Sequence, residues 1–128
     1  MKTIKQRVFL YAALSFQVLA NHAFAQDTVP SLHTNMHTEI QHLLNFVAST
    51  HCQYERNGTF HNGEEAVDHI NKKYAYYEDD IETAEDFIQY SATKSMLSGK
   101  YYKVHCNNAT PIKSQDWLLK ELQSFRDS

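Results

Sequence analysis

His61, Glu65 and His69 stand four residues apart, shortly after Cys52 and the run Arg56-Asn57-Gly58. Residues spaced by four share a helix face. Glu65 and His69 therefore have the spacing of an acid–base pair, with His69 as general base and the carboxylate orienting its ring. With His61 they also offer the imidazole and carboxylate groups that hold zinc. His33 and His37 repeat the spacing. Each signal has a plainer reading. No H-E-x-x-H signature is present, and no nucleophile stands at a recognisable elbow in a chain with only 3 glycines. On a helical wheel His69 lies roughly 110° from the centre of its helix's apolar stripe, at the flank. There, Glu65 and Lys73 would make it part of a surface ion pair. We therefore expect no catalytic residue, cofactor or metal. Arg56, Asn57, His61, Glu65 and His69 are kept as candidate ligand-binding residues, and a hydrolase using His69 and Glu65 is the alternative.

The elements that must position these groups can be read from periodicity and punctuation. Asn57-Gly58 is the dipeptide that best tolerates the two positive-φ positions of a type I′ hairpin turn, so Cys52 to His61 reads as a hairpin. Met36, Ile40, Leu43, Leu44 and Val47 form one helical stripe before it, predicting a helix from Met36 to about Ser49. After the hairpin, Asn62 and Glu65 form a capping-box-like start to a helix from Gly63 to about Tyr77. Thr83 and Asp86 repeat that signal for a shorter third helix. Ser98-Gly99 breaks the chain, and Tyr101 to Cys106 alternates as a strand. Asn107 to Pro111 is turn chemistry. Ser114 is read as the cap of a last helix, with Leu118, Leu122 and Phe125 facing inward.

The first 25 of the 128 residues read as an address. Lys2, Lys5 and Arg7 precede the mostly apolar run Val8 to Ala20, and Ala23-Phe24-Ala25 supplies the small residues of a cleavage site. This is the pattern of a secretory signal peptide cut after Ala25; a membrane anchor needs about 20 apolar residues. Residues 26–35, polar and containing Pro30, are read as a flexible leader, and 36–128 as a single domain. Without Met1 to Ala25 the chain keeps nine Lys and Arg against 15 Asp and Glu, a formal charge of −6. That acidity argues against nucleic acid and against anionic membrane surfaces. No later segment is apolar enough to span a bilayer.

Two cysteines in an exported chain usually pair. Cys52 opens the first strand and Cys106 closes the last, so placing those strands side by side and antiparallel brings the sulfurs together without strain. An isolated hairpin is marginal in water, which independently favours recruiting the late strand. The expected fold is α+β: about four helices on a small antiparallel sheet, made of a hairpin plus one late strand, with one disulfide.

The motifs in order resemble a known family. Arg56-Asn57-Gly58, Glu65-Ala66 with His69, Thr83-Ala84-Glu85-Asp86-Phe87-Ile88, Ser98-Gly99-Lys100-Tyr101-Tyr102 and Cys106 are similar to the pattern of small exported bacterial domains of unknown function typified by YfeK. The chain departs from it in having Tyr101 where that family often has proline. The resemblance implies a periplasmic location in a Gram-negative bacterium and no activity. Ser98 to Tyr102 also fits the Ser-Gly-x-x-Tyr fragment of some periplasmic lysozyme inhibitors, but is read here as a glycine-bearing loop entering a strand. The functional expectation is a secreted or periplasmic envelope protein acting as a non-catalytic binding or accessory module. Its partner would be an envelope protein or glycan; of the tyrosines around the sheet, such as Tyr54, Tyr76, Tyr101 and Tyr102, each taken singly is read as core, and any left at the surface beside Arg56 would suit that contact.

Overall fold

The computed structural model describes residues 29–128, with side chains from Asn35 onward. The signal peptide expected over Met1 to Ala25 lies outside the described residues. Helix α1 (Val29–Ala48) is followed by the hairpin β1 (Gln53–Arg56) and β2 (Thr59–His61), then α2 (Gly63–Tyr77), a single 3₁₀ turn (Glu78–Asp80) and α3 (Ala84–Ser91). Strands β3 (Lys103–His105) and β4 (Ile112–Lys113) precede the last helix, α4 (Ser114–Arg126). The four strands form one antiparallel sheet in the order β2-β1-β3-β4. The fold is α+β, as expected, with β4 added to the edge.

The hairpin forms where the sequence places it. Asn57 and Gly58 both adopt positive φ, 52° and 78°, and Arg56 pairs with Thr59 across a two-residue loop. β1 then pairs with β3 so that Tyr54 faces Val104 and Gln53 faces His105. One step further along that register stand Cys52 and Cys106, which form the disulfide with Cα atoms 4.4 Å apart. That spacing is typical of a non-hydrogen-bonded antiparallel pair.

The helices are anchored by local chemistry. Asn62 accepts from the Glu65 amide while the Glu65 carboxylate accepts from the Asn62 amide, a complete capping box at the start of α2. Thr83 and Asp86 do the same for α3. Gly63 is required for a different reason. A Cβ there would stand 2.3 Å from the Val47 carbonyl oxygen, so glycine lets the end of α1 approach the start of α2. Ile40, Leu43 and Val47 of α1, Ile70 of α2, Phe87 and Ile88 of α3, and Leu118 and Leu122 of α4 meet Tyr54, Tyr102 and Val104 in a single core.

Two expectations are corrected. α1 begins at Val29, inside the stretch expected as a flexible leader. Pro30 falls in its first turn, where a missing N–H costs no intrahelical bond. Ser114 is not a cap: Lys113 holds that position without a side-chain hydrogen bond. The Ser114 hydroxyl is instead buried against the Tyr54 hydroxyl, which also donates to the Ala92 carbonyl at 3.3 Å. Burial drives the Tyr54 phenol well above its ordinary pKa. No helix among the described residues is long and apolar enough to cross a membrane.

Candidate functional site

Side chains alternate across a strand, so Arg56 emerges on the same face of β1 as the buried Tyr54. It lies beyond the core, next to the turn. Tyr102 stands in the corresponding place before β3, two residues ahead of the buried Val104. α2 runs across this face. Ala66, Ile70 and Lys73 follow one another in steps of four and three along its buried stripe, so a lysine occupies a position the pattern reserves for an apolar residue. His69, one turn before Lys73, reaches the same place from the flank.

These groups line an open groove of about 470 Å³ with Asn57, Ser95, Met96 and Leu97. His69 Nε2 and the Tyr102 hydroxyl are hydrogen-bonded at 3.1 Å. Lys73 Nζ donates to the Lys94 carbonyl at 2.6 Å and to the Tyr102 hydroxyl at 3.4 Å, and stands 5.0 Å from the centre of the Tyr102 ring. The turn and the loop after α3 are latched together. Asn57 Nδ2 donates to Ser95 Oγ at 3.3 Å, and Ser98 Oγ donates to Asn57 Oδ1 at 2.6 Å. Gly99, at φ 70°, closes that loop with its amide on the Ser95 carbonyl.

The electrostatics are one-sided. No Asp or Glu lines the groove. Among the described residues the Arg56 guanidinium has no salt bridge and no side-chain hydrogen bond. Desolvation, then the nearby Arg56 charge, lowers the pKa of Lys73. Desolvation lowers the His69 pKa to about 4, helped by the positive charges of Arg56 and Lys73. Burial pushes the Tyr102 phenol upward, against the pull of Arg56. The groove thus brings together the Arg56 guanidinium, the Lys73 amine, an imidazole that is neutral at pH 7 and a neutral phenol.

Of the residues singled out from sequence, Arg56, Asn57 and His69 come together here. His61 and Glu65 do not line the groove; they form their own pair, His61 Nδ1 to Glu65 Oε2 at 3.3 Å. The expected His69–Glu65 pairing is therefore corrected: Glu65 is committed to the α2 cap, and the partner of His69 is Tyr102. Among the described residues no group of three or more His, Cys, Asp or Glu is arranged to hold a metal ion. The tyrosines divide. Tyr54 and Tyr102 are core, whereas Tyr76 and Tyr101 remain exposed. The inhibitor-like reading of Ser98 to Tyr102 loses its presented tyrosine, since Tyr102 is buried and Ser98 serves the turn latch.

The groove residues sequence reasoning did not single out are Lys73 and the loop residues Ser95 to Leu97; Tyr102 was named only as one of the tyrosines around the sheet, and it lines the groove from a buried position. A signal existed for the first, as the one cation in an otherwise apolar stripe. For Tyr102 the alternation of Tyr102 and Val104 was legible, but not which strand face α2 would cover.

With this geometry in view, comparison with known proteins places the chain. Residues 34–126 match the family of unknown function DUF5329, and the chain belongs to that family. It is 39% identical over 79 residues to the uncharacterized protein YfeK of Salmonella typhimurium, a match covering 59% of this chain and 66% of that relative. The chain thus spans just under two thirds of the length of that curated relative. No solved structure matches it.

Proposed function

We propose that this DUF5329 protein is a small binding module of the bacterial envelope, not a catalyst, and that the groove beneath the hairpin turn is its ligand site. The observation that carries the reading is the groove lined by Arg56, Lys73, His69 and Tyr102 with no acidic residue. Its volume, about 470 Å³, falls within the roughly 300–1,000 Å³ usual for sites that take a small molecule or the end of a larger one. Six of its eight lining residues carry polar side chains, and the other two, Met96 and Leu97, are exposed apolar side chains.

Catalysis is the weaker reading on the same geometry. A general base works best with a pKa near the operating pH, and His69 sits near 4 with its ring nitrogen on a buried phenol. Glu65, the orienting acid of a hydrolase, is held in the helix cap. The envelope location rests on the signal-like Met1 to Ala25 and is supported by the Cys52–Cys106 bridge, a bond that oxidising compartments favour. The acidic balance of the chain disfavours nucleic acid, so a soluble envelope component, protein-derived or glycan, is the proposed partner.

The test uses the purified, disulfide-bonded protein labelled with ¹⁵N. Fractions of soluble envelope extract are added and amide shifts followed. Reversible shifts at Arg56, Asn57, Ser95 and Leu97, with the active fraction recovered chemically unchanged, are expected. Time-dependent conversion of an extract component, abolished in His69→Ala, would replace this reading with the hydrolase.

A further inference from the structure

Resting on the binding reading above, we infer that the groove is an oxyanion site: it takes a small organic acid whose carboxylate or phosphate head meets Arg56 and Lys73 and whose apolar body lies along Met96 and Leu97. The argument begins with compensation. A cation withdrawn from water is costly unless it is paired. Lys73 is almost fully buried, yet its partners are a carbonyl and a phenol, both neutral. Arg56 is half-buried beside it with no carboxylate partner among the described residues. Arg56, Lys73 and His69 stand against one concavity, where desolvation and then the Arg56 charge lower the pKa of both Lys73 and His69. An anion in that concavity would relieve both the desolvation and the repulsion.

The donors suit such a head. A guanidinium fork binds a carboxylate or phosphate through two parallel hydrogen bonds, and an ammonium adds a compact charge. The Asn57 amide and the Ser95 hydroxyl line the same groove. The rim then selects for an acid with an apolar body. Leu97 is 98% exposed and Met96 60%, and both sit on the loop fastened to the turn through Asn57, Ser95 and Ser98. Apolar side chains held at the mouth of a cationic groove offer cover to a ligand that carries both characters. The concave shape favours a free acid over a membrane, whose headgroups present the same oxyanions on a flat surface.

The probes are N-acetyl-L-leucine and isoamyl phosphate, with N-acetyl-L-leucinamide as the uncharged counterpart, each titrated into the ¹⁵N-labelled protein. Saturable shifts at Arg56, Asn57, Ser95, Met96 and Leu97 are expected with at least one of the acids. The amide should bind about tenfold or more weakly, as the loss of a charge-assisted interaction implies. Arg56→Gln, checked for a native spectrum, should abolish the response; Lys73→Met is the second variant. Equal binding of acid and amide overturns the oxyanion assignment. Silence of both acids while envelope fractions still shift the groove overturns it too, but leaves the binding module standing. Silence toward acids and fractions alike removes both. Co-sedimentation with phosphatidylglycerol-containing vesicles, lost in Leu97→Asp, without a response to the free acids, would move the site to a lipid surface and overturn the small-acid reading.

Discussion

Arg126 and Arg56 sit in two concavities of similar size and opposite character. Arg126 lies in one of about 340 Å³ with Glu39, Glu82 and Glu85 around it. Its guanidinium donates to Glu39 at 2.7 Å and also to Glu85, tying α4 to α1 and α3. These bonds raise the pKa of Arg126 and lower that of Glu85. Arg56 has the same chemistry in a larger groove, with Lys73 for a neighbour and no carboxylate. The contrast teaches that an arginine in a cleft is not by itself a site. What distinguishes the two is whether the fold has already supplied the counter-charge: Arg126 pairs with Glu39 and Glu85, whereas Arg56 has no carboxylate partner among the described residues, the observation on which the proposed oxyanion site rests.

The largest effect expected on this contrast comes from the disulfide, which pins β1, carrying Arg56, to the strand that follows Tyr102. Cys106→Ser should cost about 4 kcal/mol by loop entropy, read as a lower denaturant midpoint. Amide exchange should loosen around Arg56 more than around Arg126; the reverse order would break the assignment of the bridge to the groove. Gly63→Ala comes next. Overpacking against the α1 carbonyls should cost about 2–3 kcal/mol, a purely structural loss that leaves acid binding by the remaining folded protein intact. Arg126→Ala follows at about 1 kcal/mol, because the side chain is 37% exposed and solvent screens its pairs; probe binding should not change.

Arg56→Gln should alter stability by no more than about 0.5 kcal/mol while abolishing the response to the acids. If instead Arg56→Gln unfolds the protein and Arg126→Ala removes binding, the two roles have been exchanged.

How far this was legible in the sequence depends on the range of the signal. The Asn57-Gly58 turn, both capping boxes, the α2 bounds and the Cys52–Cys106 pairing all rest on neighbours in sequence or on a count of two cysteines, and each was readable. β4 was not, because Ile112–Lys113 is too short to carry a period. The Ser114 hydroxyl reads as a cap locally, and only the arrival of Tyr54 makes it a core partner. Glu65 and His69 share a four-residue spacing, but the capping box claimed the acid. Lys73 shows the same limit from the other side. Its place in the stripe was visible, yet the meaning of a buried cation depended on Tyr102 and Arg56, brought to it by strand pairing.

The pH dependence follows from His69, which faces Arg56 and His61 from the hairpin, Lys72 and Lys73 from its own helix, and Tyr102. Its folded pKa, about 4, lies below the ordinary value of 6.5. The unfolded chain therefore takes up the proton first as pH falls. Above that ordinary value neither state is protonated and stability is full; it declines progressively toward pH 4. His69→Asn should flatten that part of the urea-midpoint profile.

The most direct test of the oxyanion account is the titration of the His69 ring followed by NMR, with and without saturating N-acetyl-L-leucine. Alone, the ring should titrate near 4. With the acid bound, the added negative charge offsets Arg56 and Lys73, and the midpoint should move upward. A midpoint near 6.5 in the free protein, or one that does not move when the acid is bound, would contradict a groove of uncompensated cations awaiting an anion.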